Sequence, residues 1–233
     1  MNPIPLFLGG EHQCSYLPEE VARSAYVHPE MPMTPEIYSA LIAQGFRRSG
    51  GLVYRPHCAS CAACLPVRAD VGNFAPTRSQ MRILKRNQDL SVVMGPAKFS
   101  DEAYALFRRY LSARHADGGM VAMSRDEFAE FLVAPWGVSR FVEFRDGAGL
   151  LLSVAVVDEL RDGLSAVYTF YSPDEPKRGL GTLAVLWQLA EARRRGLSWV
   201  YLGFWIKTCS KMSYKNQFRP FQTFLNGLWL APE

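Results

Sequence analysis

LSAVYTFYSPDEPKRGLGTLAVLWQLAEARRRGLSWVYLGFW, residues 164–205, is the stretch on which the fold turns. It opens with a β-branched and aromatic run at 164–171, the composition that favours a strand. A charged, glycine-bearing loop follows, ending in Arg178-Gly179-Leu180-Gly181. Residues 181–195 are helix formers closed by Gly196, and 199–205 reads as another strand.

Upstream, 139–144 and 149–157 read as two further strands. Before them stand two helices. Ser100-Asp101-Glu102 opens the first, whose stripe is Tyr104, Phe107 and Leu111. Ser124-x-x-Glu127 opens the second, carrying Phe128, Phe131 and Leu132 and ending before Pro135. Downstream, 211–216 reads as a short helical piece. Helix, helix, three strands, helix, strand resembles the N-acetyltransferase-like (GNAT) scaffold. The part before residue 95 differs. Its prolines permit only short elements: a helix at 35–44, strands at 52–55 and 67–71, and a helix from the Thr77/Gln80 capping box to Arg86 that turns into a strand at 90–94. The expected fold class is therefore α+β. Residues 1–95 form a small cysteine-containing N-terminal domain. Residues 96–233 form a GNAT-like domain with a mixed, mostly antiparallel sheet.

Composition narrows the function. The 233 residues are 48% apolar and 21% charged, which excludes disorder. A net charge of +4 is too small for a DNA-coating protein, so nucleic-acid contact should be a local patch. The first ten residues lack a basic segment and carry Pro3 and Pro5, unlike an export signal. The longest apolar run, 147–157, falls short of the roughly 20 residues a bilayer requires. The expected location is the cytoplasm. There the five cysteines read as packing residues, metal ligands or reactive thiols rather than a disulfide framework.

Arg178-x-x-Gly181 at a helix start is an anion-binding pattern, with a plain glycine turn as the other reading. Coenzyme A enzymes of this scaffold carry a further small residue where this chain has Leu183, which crowds a pyrophosphate. Arg78, Arg82 and Arg86 share one helix face beside Lys85, with no acidic partner before Asp89; a solvated face is the plainer reading. His57-Cys58-x-x-Cys61-x-x-Cys64, with Cys14 or His57 as a fourth ligand, suits zinc or an iron–sulfur cluster, or else small packed residues. Cys209 stands apart as structural. Asp158, at a strand end, suits a base or a solvated turn acid. Tyr168 and Tyr171 fall on opposite faces of their strand. Lys211-Met212-Ser213-Tyr214-Lys215 offers charge and a ring to an RNA terminus, or is a lysine-rich turn.

Three N-terminal segments resemble arginyl-tRNA–protein transferases: Cys14-Ser15-Tyr16-Leu17-Pro18, Tyr54-Arg55-Pro56 running through the three cysteines to Arg68, and Arg78-Ser79-Gln80-x-Arg82-x-x-Lys85-Arg86-Asn87. Asp158-x-Leu160, 164–171, Tyr201-Leu202-Gly203-x-Trp205-Ile206 and Lys211-Met212-x-Tyr214-Lys215 resemble their C-terminal part. The short chain and its cysteine spacing are most similar to the bacterial branch, the aspartate/glutamate leucyltransferases. Relatives outside bacteria, with which an iron–sulfur cluster is associated, carry Cys-x-x-Cys near the N-terminus; here the second position is Leu17.

The resemblance implies transfer of leucine from the 3′ end of leucyl-tRNA to the α-amine of proteins beginning with Asp or Glu, marking them for degradation. No cofactor is required, and neither membrane nor DNA takes part. On that premise Asp158 is the expected base, and Tyr168 or Tyr214 protonates the leaving ribose oxygen. Arg55, Arg78 and Arg82 grip the acceptor carboxylate from across the cleft. Lys177, Arg178, Lys211 and Lys215 contact the tRNA. Cys14, Cys58, Cys61 and Cys64 are the expected ligands if a metal is bound. The rival readings are a coenzyme A-dependent N-acetyltransferase and a non-catalytic metal-binding module.

Overall fold

A computed structural model describes residues 4–114 and 122–232. The proline-punctuated N-terminal part gives short elements: β1 (Leu6–Leu8), a small pair β2 (His12–Gln13) and β3 (Val21–Ala22), β4 (Ser24–Val27), α1 (Pro35–Ala43), β5 (Arg47–Ser49) and β6 (Leu52–Pro56). Thr34 caps α1 by accepting from the Ile37 amide, with Pro35 in the first turn. An antiparallel sheet in the order β1-β4-β6-β5 results. Arg47 pairs with Tyr54, and Tyr54 with Tyr26, so these three form one cross-strand row. The other face buries Val53 with Tyr38, Leu41, Ile42 and Phe46. Strand alternation therefore sends Arg47 and Arg48 in opposite directions.

The rest of the chain runs β7 (Leu65–Asp70), α2 (Arg78–Arg86), β8 (Ser91–Pro96), α3 (Asp101–Arg114), α4 (Arg125–Leu132), β9 (Ser139–Arg145), β10 (Leu151–Glu159), β11 (Gly163–Tyr171), α5 (Leu180–Arg194), β12 (Trp199–Trp205), α6 (Ser210–Ser213), a 3-10 turn (Tyr214–Gln217), β13 (Phe221–Leu225) and β14 (Leu228–Leu230). The sheet order is β14-β13-β7-β12-β11-β10-β9-β8. Only β11 and β12, joined through α5, run parallel; the other pairs are antiparallel. This is the GNAT-like arrangement expected from the sequence. β7 is the surprise. Although it precedes residue 95, it lies between β12 and β13 and pairs with both.

One face of the large sheet packs on α5 through Leu180, Leu183, Ala184, Leu186 and Leu189. The other packs on α3 and α4, where Phe107, Phe128 and Phe170 meet edge to face or tilted at centroid distances of 4.9–6.0 Å. Truncating one of these fully buried rings should cost about 3–5 kcal/mol. β10 runs between the two layers, with Leu151 to Asp158 buried without interruption.

The functional consequence lies in the centre. β11 and β12 pair at only three positions, Gly163–Ser165 against Trp199–Tyr201. Beyond them the strands diverge, and a bulge between Tyr201 and Gly203 bends β12. The facing backbone groups of 166–171 and 202–205 are thereby released from strand pairing and open a wedge.

Candidate active site

Arg47 reaches into this wedge from β5. Its Nη1 donates to the Ala166 carbonyl at 2.9 Å and to Ser165 Oγ at 3.5 Å, and its Nη2 to the Val167 carbonyl at 3.2 Å. On the opposite wall Gly203 holds φ +79°, and an added Cβ would sit 2.7 Å from Arg47 Cζ. Glycine is required there twice, for its backbone angle and for the close approach of the guanidinium. Tyr16, Tyr54, Tyr214 and Lys215 all feel the Arg47 charge.

Lys215 is a correction to the sequence reading. It is buried, not a surface contact for RNA, at 6% exposure. Its ammonium donates to the Phe204 carbonyl of β12 and lies 3.3 Å from Met212 Sδ. Burial, and then the Arg47 guanidinium, push its pKa down to about 7. Lys211, four residues earlier, is exposed. Tyr214 is half-exposed, with Lys215 Nζ 5.9 Å from its ring centre. Tyr168 projects from the part of β11 that β12 leaves unpaired, among Phe107, Tyr110 and Phe131. Burial, with Tyr16 beside it, pushes its phenol up to about 12, and its hydroxyl is sealed without a hydrogen-bond partner among the described residues. Tyr168 joins the α3/α4 core and Tyr171 the α5 core, as alternation requires, yet Tyr110 touches both rings.

Asp158 is also corrected. Its side chain is wholly buried, as is that of Arg48. Arg48 donates to it from Nε at 2.6 Å and Nη2 at 2.8 Å, Tyr38 at 2.6 Å and Ser139 at 2.9 Å. Burial, and then the carboxylate, hold the Tyr38 phenol well above its ordinary range. All the accepting capacity of Asp158 is committed to tying β10 to α1 and β5. It has no room to take a proton from a substrate, so it is a structural anchor and not the base.

The proposed carboxylate grip is not assembled. Arg55 stands 5.0 Å over the Phe46 ring. Strand alternation puts it on the face opposite Leu52, Tyr54 and Pro56, which line a cavity. Arg78 and Arg82 lie exposed on α2, which packs against α5 rather than across a cleft from the lysines. Arg86 donates to the Lys177 carbonyl, and Asn87 to that of Arg178 at 2.9 Å. Arg178 itself is spent on Asp89, at 2.9 Å to both oxygens, and on Glu175 at 3.2 Å. What remains is one basic surface: Arg78, Arg82, Lys85, Arg86 and Lys177, all exposed.

The same packing covers the anion loop. Gly179 is left-handed at φ +67°, and its position for a Cβ is 3.3 Å from Ile83 of α2. Leu183 does not crowd that loop as expected; it turns into the α5 core at 7% exposure.

Cys14, Cys58, Cys61 and Cys64 line a cavity of about 620 Å³ together with Tyr16 and Tyr54. Burial, and then the neighbouring thiols, push Cys64 up to about 11. The thiols gather, but among the described residues no group of three His, Cys, Asp or Glu side chains is close enough to hold a metal ion. As placed, they do not fit a zinc or iron–sulfur site. Cys209 is buried.

Sequence reasoning missed Arg47, Arg48, Tyr38 and Gly203. The available signal was the Arg47-Arg48 pair opening a short strand after Gly45-Phe46, since consecutive strand residues face opposite ways.

Comparison with known proteins identifies the family. The family description "Arginine-tRNA-protein transferase, C terminus" matches residues 102–225, and its N-terminal counterpart matches 12–82. A curated protein of Pseudomonas aeruginosa, named aspartate/glutamate leucyltransferase, is 53% identical over 94% of this chain and 93% of its own. One of that name from Saccharophagus degradans is 46% identical over 99% and 98%. Among solved structures, L-PGS from Bacillus licheniformis shares the fold at 13% identity, with a TM-score of 0.53 over 69% of this chain and 58% of its own. No described helix is long and apolar enough to cross a membrane.

Proposed function

Because the chain belongs to the arginine-tRNA-protein transferase family, and is thus an aminoacyltransferase acting on a charged tRNA and a protein, we propose that it moves leucine from leucyl-tRNA to the α-amine of proteins beginning with Asp or Glu. The curated relatives' name supports leucine as donor and the acidic acceptors. The cytoplasm, where charged tRNA is made, is the proposed setting.

The observation that carries this reading is α2 seated on the loop before α5, with Ile83 against Gly179 and the Lys177 and Arg178 carbonyls already bonded. In a coenzyme A enzyme of this scaffold that loop must stay open for a pyrophosphate. Here it is capped by a helix whose outer face is basic, which suits the tRNA backbone. Lys211 extends the same donor role near the 3′ end.

The aminoacyl ester lies in the wedge between β11 and β12. The acceptor nitrogen attacks the ester carbonyl carbon, and the tetrahedral intermediate collapses. The bond to the ribose oxygen breaks, the amide forms, and the ammonium proton ends on the ribose oxygen. An α-amine has a reference pKa near 8, so a weak base suffices. Lys215 fills that role in place of Asp158. Burial lowers its pKa to about 7, so a substantial share of its amine is unprotonated near neutral pH, and it is anchored on the wedge wall by the Phe204 carbonyl. Tyr214 is the accessible phenol for the ribose oxygen, and positioning supplies much of the remaining acceleration.

The test gives purified protein leucyl-tRNA, other charged tRNAs and acetyl-coenzyme A, with peptides beginning Asp, Glu, Arg and Ala. Mass spectrometry should find leucine on the Asp and Glu peptides alone. Acetylated peptide, or leucine on the Arg peptide, would overturn the reading.

A further inference from the structure

Arg47 is a cation without a counter-charge. Its sequence neighbour Arg48 is matched by Asp158, whereas Arg47 has no carboxylate partner among the described residues. Tyr16, Tyr38, Tyr54, Tyr214 and Lys215 feel its charge, and none of these five is acidic at neutral pH. The single carboxylate lining the adjacent cavity, Glu20, accepts from Ser60.

A guanidinium has five N–H groups in a fixed fork. Its bonds use the Nη1 and Nη2 end, holding it against the Ala166 and Val167 carbonyls. The Gly203 backbone bounds its flat face. Nε has no partner among the described residues and is not among the sealed, unsatisfied atoms, and Nη2 spends one bond on Val167, leaving its second proton free of a partner among those residues. Those two N–H groups are parallel and spaced for the two oxygens of one carboxylate.

We propose that Arg47 is the receptor for the acceptor's side-chain carboxylate, taking the role that Arg55, Arg78 and Arg82 are not positioned to fill. This rests on the leucyl-transfer reading and deepens it. The acceptor's first side chain bonds side-on to Nε and Nη2, which holds its α-amine at the mouth of the wedge, beside the ester and Lys215. Asparagine or glutamine presents one oxygen and an NH2 group to the same fork, so it loses one hydrogen bond and the charge.

The test compares peptides beginning Asp, Glu and Asn with wild type, Arg47→Lys and Arg47→Gln, each checked for folding by its thermal midpoint. Wild type should prefer Asp over Asn by about 100-fold in kcat/KM. In both folded variants the ratio should fall to within about threefold of unity, chiefly through a higher KM for Asp. A retained preference in a folded variant overturns the assignment. Should both variants fail to fold, hydroxyphenylglyoxal labelling of the wild type decides. An Asp-initial peptide should slow modification of Arg47 about tenfold while an Asn-initial peptide does not; equal rates overturn the proposal. The footprint needs no transfer to occur. Protection of Arg47 without leucylation would therefore sink the parent reading and leave this one standing.

Discussion

Replacing Asp158 by asparagine separates the two roles this residue could have. The substitution keeps the volume and removes the charge. It leaves the Arg48 guanidinium, whose side chain is fully buried, without a counter-ion, and it turns an NH2 group toward donors that now have nothing to bond. Breaking one side of a buried pair costs about 3–5 kcal/mol. Against a stability of about 5–15 kcal/mol that is a large fraction. The assay is urea unfolding followed by the fluorescence of the five tryptophans. At a slope of about 3 kcal/mol/M the midpoint should drop by roughly 1–1.7 M. Activity per folded molecule, measured in the cold, should stay within about threefold. Arg48→Met combined with Asp158→Leu should regain part of the loss, since an apolar pair removes the unpaired buried charge while the Tyr38 and Ser139 hydroxyls still lose their acceptor. An Asp158→Asn protein of unchanged midpoint but activity lowered about 1,000-fold would restore the carboxylate as a base and refute the anchor.

Lys215→Met should stabilise the protein and disable it together. The folded-state value of about 7 lies below the free value of 10.5, so burial of the charge weighs fully at and below pH 7 and is relieved as pH rises toward 10.5. Wild-type stability should therefore climb between pH 7 and 9 while the variant's stays flatter, with a gain on the order of 1–3 kcal/mol at pH 7 after allowing for the lost bond to Phe204; its activity should lose the limb that rises through pH 7. Gly203→Ala must hold φ +79° and push against a pinned guanidinium, so it should lose about 1–3 kcal/mol and raise KM for acidic acceptors; unchanged melting and kinetics would remove Arg47 from the wedge. Arg82→Ala with Arg86→Ala should lower the slope of log affinity for tRNA against log salt by roughly 1.5–2, and an unaltered slope would move the RNA off α2.

The central unit was legible because its signals are local. The β-rich run, the loop glycines and the helix closed by Gly196 all act within a few residues, and the capping boxes of Thr77 with Gln80 and Ser124 with Glu127 both form. The site was only partly legible because its decisive contacts are distant. Asp158 at a strand end suits either a cleft or a core, and the guanidinium that decides lies 110 residues upstream. Lys211 and Lys215 look alike in a lysine-rich run, and only the turn at Tyr214–Gln217 swings the second inward. Charge counts on α2 locate a basic face correctly but cannot tell which partner that face meets.

The placement of β7 governs how the chain can be made. Arg68 of that strand bonds Tyr201, 133 residues later, and Gln222, 154 residues later. During synthesis at about 5–20 residues per second, the segment leaves the ribosome on the order of ten seconds before either neighbouring strand exists. It waits with both edges open, a template for pairing with other chains. Completion of the sheet thus waits for β12 and β13, and a translation product stalled before them should be an aggregating species rather than a folded half.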